Sequence, residues 1–200
     1  MAVDPQKPLE EINLATRQRI EQAVLDTFSQ REFHKVSLIE IATEANVSLQ
    51  TIYKYYGGKE VLLFSSLDTW LSELAARMID HLEGIENYKD RMRKVIWLVY
   101  DYIEKNPKVA QVIMSSVYIN TWRQDETFKQ PKLFTLFMKV LTEGRENGIL
   151  TNEVDEATVL DFIIGVTSRT ISMWVARGQK GSLTEKGSQQ FDMLWRAIAK

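Results

Sequence analysis

The sequence contains no cysteine, which excludes a disulfide framework and thiolate metal sites and is compatible with a reducing compartment. Only two histidines are present, His34 and His81, and neither stands in a two-histidine ligand spacing, so each reads as a surface or interface residue. No glycine-rich phosphate loop follows a strand. These absences remove the usual catalytic and metal-binding constellations, and the chain reads as a non-enzyme with no cofactor and no metal. No apolar run approaches the ~18 residues a membrane span needs, and the N-terminal stretch lacks a segment of signal-peptide length. A cytoplasmic protein with no membrane partner is the expectation. No segment alternates apolar and polar residues over a useful length, so strands are not expected.

What is there is a folded composition: 44% hydrophobic and 26% charged residues, with only four prolines and nine glycines in 200 residues. That length suits one large or two small packed units. Residues 1–15 are polar, carry two prolines and lack a sustained period, and read as a flexible arm. From Thr16, a plausible N-cap, the residues Ile20, Ala23, Val24 and Phe28 recur at helical spacing. Ser37 and Glu40 form a capping box that announces a second helix to about Ala45. Asn46-Val47-Ser48 breaks the period, and Ser48 can cap a short third helix from Leu49 to about Tyr56, ended by Gly57-Gly58. A long helix, 59–82, follows, then 88–105, 107–121, 131–147, 156–177 and 184–199. The fold class is therefore all-α, about nine helices, with a three-helix head over 16–58 and a larger body over 59–200.

The net charge of −2 is unfavourable for binding nucleic acid. Locally the balance differs. Between Ala45 and Lys59 there are two lysines and no carboxylate, with Glu44 and Glu60 on either side. Two short helices joined by so tight a turn must cross sharply. Ile41, Ala42, Ala45, Val47 and Ile52 would form the inner faces of that crossing, leaving Leu49, Gln50, Thr51, Tyr53, Lys54 and Tyr55 outside on a helix narrow enough for a major groove. By chemistry, Gln50 suits the edge of adenine, while Leu49 and the Thr51 methyl suit a thymine methyl. Ser48, Tyr53, Lys54 and Tyr55 suit phosphates, as do Ser37 and Lys59 at two helix starts. A plain helical hairpin with surface aromatics would also have this outline, but not the coincidence of capping box, tight turn, acid-free helix and Tyr-x-Tyr-Tyr-x-x-Lys ending.

Taken together, Ala23, Phe28, Phe33, Ile41-Ala42, Ala45, Val47-Ser48, Thr51-Ile52-Tyr53, Tyr55-Tyr56 and Lys59-Glu60 resemble the DNA-binding domain of the TetR family of transcriptional regulators. In that family, tyrosines matching Tyr53 and a lysine matching Lys59 commonly contact phosphate. Three positions depart from the pattern. Glu32 and Asn46 stand where glycine is usual, and Tyr56 where phenylalanine is frequent. Asn46 tolerates a left-handed backbone, Glu32 is expected to strain or shift the helix end, and the Tyr56 hydroxyl needs a partner or solvent.

All five tryptophans lie beyond the head, and most aromatics there are core by default. The resemblance implies a C-terminal domain that binds a small, often hydrophobic inducer; Trp97, Tyr100, Tyr118, Trp122, Phe134, Met138 and Trp174 are the lining candidates. Arg169 sits in an otherwise apolar helix and is open to three readings: an anionic ligand, a salt bridge within a dimer, or solvent. Helix 156–177 is apolar on more than one face, which argues for a partner. Phe162, Gly165 and Val166 with Phe191, Leu194, Trp195 and Ile198 are the candidate dimer interface, Gly165 permitting close approach, in the four-helix arrangement the resemblance implies. The expected protein is a ligand-responsive repressor. As a homodimer it would read a palindromic double-stranded DNA operator with half-sites about 34 Å apart, and a small-molecule inducer would release it. The rival is a regulator of the same fold that answers to a protein partner, or that activates.

Overall fold

The computed structural model describes residues 12–82, 84–116 and 131–200. Tyr118 and Trp122 lie outside the described residues, as does the side chain of Phe134. Nine α-helices occur among the described residues: α1 Leu14–Phe28, α2 Leu38–Glu44, α3 Leu49–Tyr56, α4 Lys59–Leu82, α5 Tyr88–Lys105, α6 Pro107–Ser116, α7 Pro131–Glu146, α8 Glu156–Ala176 and α9 Leu183–Ile198. A single 3₁₀ turn, Phe33–Lys35, precedes α2. The described residues of Met1–Trp70 with Gln111–Lys129 form one compact unit, and those of Leu71–Ala110 with Gln130–Lys200 form another.

In the first unit, Ile20, Ala23, Val24 and Phe28 are the buried face of α1, as their spacing predicts. The helix starts earlier than expected, because the Asn13 side chain accepts from the Ala15 amide at 2.9 Å and takes the capping role assigned to Thr16. At α2 both halves of the capping box are made: the Ser37 hydroxyl accepts from the Glu40 amide, and the Ser37 amide donates to the Glu40 carboxylate at 2.8 Å. Glu32 has φ −64° and ψ 144°. It is extended rather than left-handed, so the missing glycine costs no backbone strain there.

In the second unit, α9 runs along α5, and α8 packs against α5, α7 and α9. Two glycines permit the closest approaches. A Cβ on Gly187 of α9 would lie 2.3 Å from Cδ2 of Tyr100, and one on Gly144 of α7 would lie 2.3 Å from the Tyr88 hydroxyl. That hydroxyl donates to the Val140 carbonyl at 2.7 Å. Glu104, on α5, reaches across to the start of α9 and accepts from the amides of Leu183 and Thr184 at 2.8 and 3.1 Å, satisfying donors that a helix start leaves open. Paired hydrogen bonds, Thr151 amide to Ile198 carbonyl and Lys200 amide to Ile149 carbonyl, tie the chain after α9 to the α7–α8 connection.

Candidate nucleic-acid interface and body cavity

The crossing of α2 and α3 is set by a Schellman turn. The Asn46 amide donates to the Thr43 carbonyl and the Val47 amide to the Ala42 carbonyl, with Asn46 at φ 51°. Asparagine thus holds the left-handed position where glycine is usual. Behind the turn, Ile41, Ala42, Ala45 and Ile52 are buried and Val47 is half-buried. Ser48 caps α3 through the Thr51 amide at 3.0 Å and also bonds the Thr51 hydroxyl at 2.8 Å.

Six candidate residues and their cap share the outward side of α3. Gln50, Lys54 and Ser48 are exposed, Tyr53 is 53% exposed, and Leu49, Thr51 and Tyr55 are half-buried. The Lys54 ammonium lies over the Tyr55 ring, 4.8 Å from its centroid, which orients both. Two further candidates are differently engaged. Lys59 donates to the carbonyls of Phe33 and Val36, each at 2.8 Å, and sits 4.4 Å from the Phe33 ring centroid. Two of its three N–H groups therefore clamp the start of α4 to the 3₁₀ turn. The Ser37 hydroxyl faces the Glu40 carboxylate at 3.0 Å, so an anion already occupies that helix start. The Arg31 hydrogen bond first, and the Ser37 amide next, hold the Glu40 carboxyl down at about 2.

The structure adds residues that the periodicity reading passed over. An open depression of about 370 Å³ separates the start of α1 from α3, lined among others by Asn13, Thr16, Arg19, Thr51 and Lys54. The Arg19 guanidinium donates to the Asn46 carbonyl at 3.3 Å and approaches the Thr16 hydroxyl at 3.4 Å. Among the described residues, two cations and several hydroxyls line the depression and no carboxylate does. The signal in the sequence was Thr16 and Arg19 one turn apart, legible only once α1 is known to lie beside α3. Close by, Tyr56 is buried and its hydroxyl has no hydrogen-bond partner among the described residues; burial, more than the neighbouring Glu21, pushes its pKa up to about 12.

In the second unit an apolar cavity of about 40 Å³ lies between α5, α7 and α8, lined chiefly by Met92, Ile96, Phe137, Leu141, Ile163 and Thr167. None of the described lining candidates borders it. Trp97 is half-buried with Lys94 over its ring, Tyr100 is fully buried with its hydroxyl on Gln190 at 3.0 Å, Met138 is half-buried, and the Trp174 indole donates to the Gly181 carbonyl at 2.9 Å. Mostly aliphatic side chains from three helices, with Phe137, make the cavity, whereas the aromatics named as candidates lie outside its lining.

The dimer candidates divide in the same way. On α8, Phe162 and Gly165 are exposed and Val166 is half-buried. On α9, Phe191, Leu194 and Ile198 are buried within the subunit, with Trp195 half-buried and stacked on Phe191. Those three belong to the subunit's own core, because the apolar stripe of α9 is turned toward α5. The outward hydrophobic residue of α9 is Met193, 65% exposed. Helix α8 is long and apolar enough to cross a membrane by length and composition, yet only 28% of that apolar window is buried. Its outward residues include Ile164 as well as Phe162.

Two crossed helices with a capped left-handed turn and an outward acid-free face, in an all-α chain, define a helix-turn-helix DNA-binding protein. The chain belongs to the TetR family of bacterial regulatory proteins: the family's N-terminal model matches residues 22–65, and the model of the YsiA-like C-terminal region matches residues 67–197. It is a DNA-binding transcriptional regulator. The fatty acid metabolism regulator protein of Bacillus subtilis is 22% identical over 187 residues, covering 90% of this chain and 94% of that protein. The crystal structure of the transcriptional regulator FadR from Bacillus subtilis in complex with stearoyl-CoA superposes with a TM-score of 0.78 at 20% identity, covering 88% of this chain and 96% of that one. The fatty acid degradation regulator FadR from Bacillus halodurans gives 0.76 at 20% identity, covering 92% and 97%.

Proposed function

We propose that the chain acts in the cytoplasm as a homodimeric repressor that reads a palindromic operator with α3 and is released by a small molecule carrying a long apolar chain. The carrying observation is the acid-free outward side of α3. Gln50, Leu49 and Thr51 face the base edges, while Ser48, Tyr53, Lys54 and Tyr55 take phosphates. Arg19 and Thr16 extend that phosphate track along the depression beside α3. Lys59 and Ser37 act chiefly by fixing α4 and α2, each keeping limited capacity for a phosphate. The head is the segment 16–58 and the body 59–200; of the expected arm 1–15, Asn13 to Ala15 belong to the head instead, since Asn13 caps α1. Two heads on a twofold axis supply the contacts that one short helix lacks, and the shared face is the outward side of α8 at Phe162, Gly165 and Val166, joined by Met193 of α9.

The aliphatic lining of the cavity supports an acyl-type inducer, as do the fatty-acid regulators among the similar proteins. At about 40 Å³ the cavity is far below the several hundred cubic ångströms a ligand of that size fills, so binding must part α7 and α8. The same small volume favours a second reading, release by a protein partner. The test begins with operator DNA selected by the protein from a random pool. Replacing Tyr53 and Lys54 together by alanine lowers affinity on the order of 100-fold with unchanged helicity and dimer mass; retained binding removes the head assignment. Saturating stearoyl-CoA releases the wild-type protein from that DNA, and continued full binding transfers the case to the protein-partner reading.

A further inference from the structure

At one end of the apolar cavity in the second unit, α5 and α7 are fastened by a charged pair. Met92 and Val95 of α5 and Val140 and Leu141 of α7 are among the lining there. Tyr88 stands four residues before Met92, and Gly144 three after Leu141, so each lies one turn beyond the lining on its own helix. The two meet: the Tyr88 hydroxyl sits against Gly144 and donates to the Val140 carbonyl at 2.7 Å. Arg91 flanks this contact. Its guanidinium lies 5.4 Å from the Tyr88 ring centroid, and its Nη2 group donates to the Glu143 carboxylate. Enlarging the cavity by shifting α7 strains this clasp.

The two partners differ. The Arg91 side chain is 19% exposed and that of Glu143 40%, so the cation is the inner member of the pair and the carboxylate the outer. The Arg91 Nε is buried and has no hydrogen-bond partner among the described residues. A buried N–H left unmet on a charged group is costly, and a carboxylate approaching side-on takes Nε and Nη2 together, the paired geometry a guanidinium offers. Glu143 takes Nη2 alone. The next arginine of α5, Arg93, is instead shared between Asp90 and Asp192. We propose that Arg91 recognises the carboxylate of a long-chain fatty acid whose chain enters the cavity, the acid displacing Glu143 from the guanidinium. This role rests on the acyl-inducer reading above and names the head group that reading leaves open. Exchange of one carboxylate for another keeps the charge balanced, and Glu143, already partly in solvent, is readily rehydrated. With the clasp released, α7 can move aside and admit the chain, which a cavity of about 40 Å³ otherwise excludes.

Isothermal titration of the full chain with oleate, below its micellar concentration, tests the assignment. Wild type binds, and Arg91→Gln binds at least about tenfold more weakly. Glu143→Gln binds oleate more tightly than wild type, because the competing carboxylate is gone. Both variants break the clasp, so a pair that only fastened the helices would move oleate binding in the same direction in both, and that result overturns the proposal. Unchanged binding in either variant overturns it as well. Thermal melts confirm that each variant is folded. Where Arg91→Gln does not fold, Arg91→Lys takes its place, keeping the charge without the fork, and oleate binding still weakens. Stearoyl-CoA, titrated alongside, separates the two readings. If it binds the wild type and oleate does not, the role of Arg91 falls and the acyl-inducer reading stands; if neither binds, both fall.

Discussion

Replacing Gly187 by alanine sets two opposed effects against each other. In an exposed helix interior the change is favourable by about 1 kcal/mol, because glycine is the poorer helix former. At Gly187 the new Cβ would stand 2.3 Å from Cδ2 and 2.7 Å from Cε2 of Tyr100, whereas carbon atoms meet comfortably at about 3.5–4.0 Å. Tyr100 is fully buried and its hydroxyl is bonded to Gln190, so the ring cannot swing aside without disturbing that bond, itself contributing about 1 kcal/mol. Overpacking of this kind costs about 1–3 kcal/mol. With the hydrogen bond included, the loss exceeds the helix-propensity gain, and the net effect is destabilisation by about 1–3 kcal/mol. For a chain of this size that lowers the melting midpoint by about 2–4 °C per kcal/mol. Urea unfolding followed by far-ultraviolet circular dichroism at fixed protein concentration measures it. An unchanged or raised midpoint for Gly187→Ala would refute the packing argument.

Tyr56→Phe removes a buried hydroxyl with no partner among the described residues, and it should leave stability unchanged or raise it by about 1 kcal/mol; a loss of that size in urea melts would show the hydroxyl to be bonded. Lys59→Met removes the ammonium bonds to two carbonyls, of which that of Phe33 keeps the Val36 amide, and should destabilise the protein by about 1–3 kcal/mol. The slope of log affinity against log salt should move by well under the ~0.9 expected for a lost phosphate contact, and a full drop would restore Lys59 to the phosphate track. Glu40 has a folded pKa of about 2, below its ordinary 4.5. Its contribution to stability is complete above about pH 4.5 and disappears as the pH falls through about 2. Glu40→Gln should therefore flatten the acid limb of the stability profile between those values, which a pH series of thermal melts would reveal.

The helices were legible because their boundaries rest on local chemistry: the Ser37–Glu40 box, the Ser48 cap, and the glycines after α3, α7 and α8. The start of α1 was misplaced because Thr16 alone was assigned as its cap, whereas Asn13, three residues earlier, makes the bond. Contacts remote in sequence were not legible. Nothing in a local pattern tells that Lys59 turns back to Phe33 and Val36, or that Arg19 borders α3. An apolar stripe also does not say which neighbour it faces. Phe191, Leu194 and Ile198 have the periodicity of an interface, but α5 already covers them inside the subunit. The cavity escaped notice for a related reason: size drew attention to the aromatics, whereas empty space forms where shorter aliphatic side chains from three helices fail to meet.

Asn46 separates two properties that are usually altered together. It sits off the DNA-facing side of α3, yet its left-handed backbone sets the angle at which that helix leaves α2. Asparagine tolerates this conformation without preferring it as glycine does. Substitution here shifts how readily α3 is held in place while leaving every outward side chain of that helix intact. The turn is therefore a means of adjusting how firmly DNA is held without altering the surface that would read it.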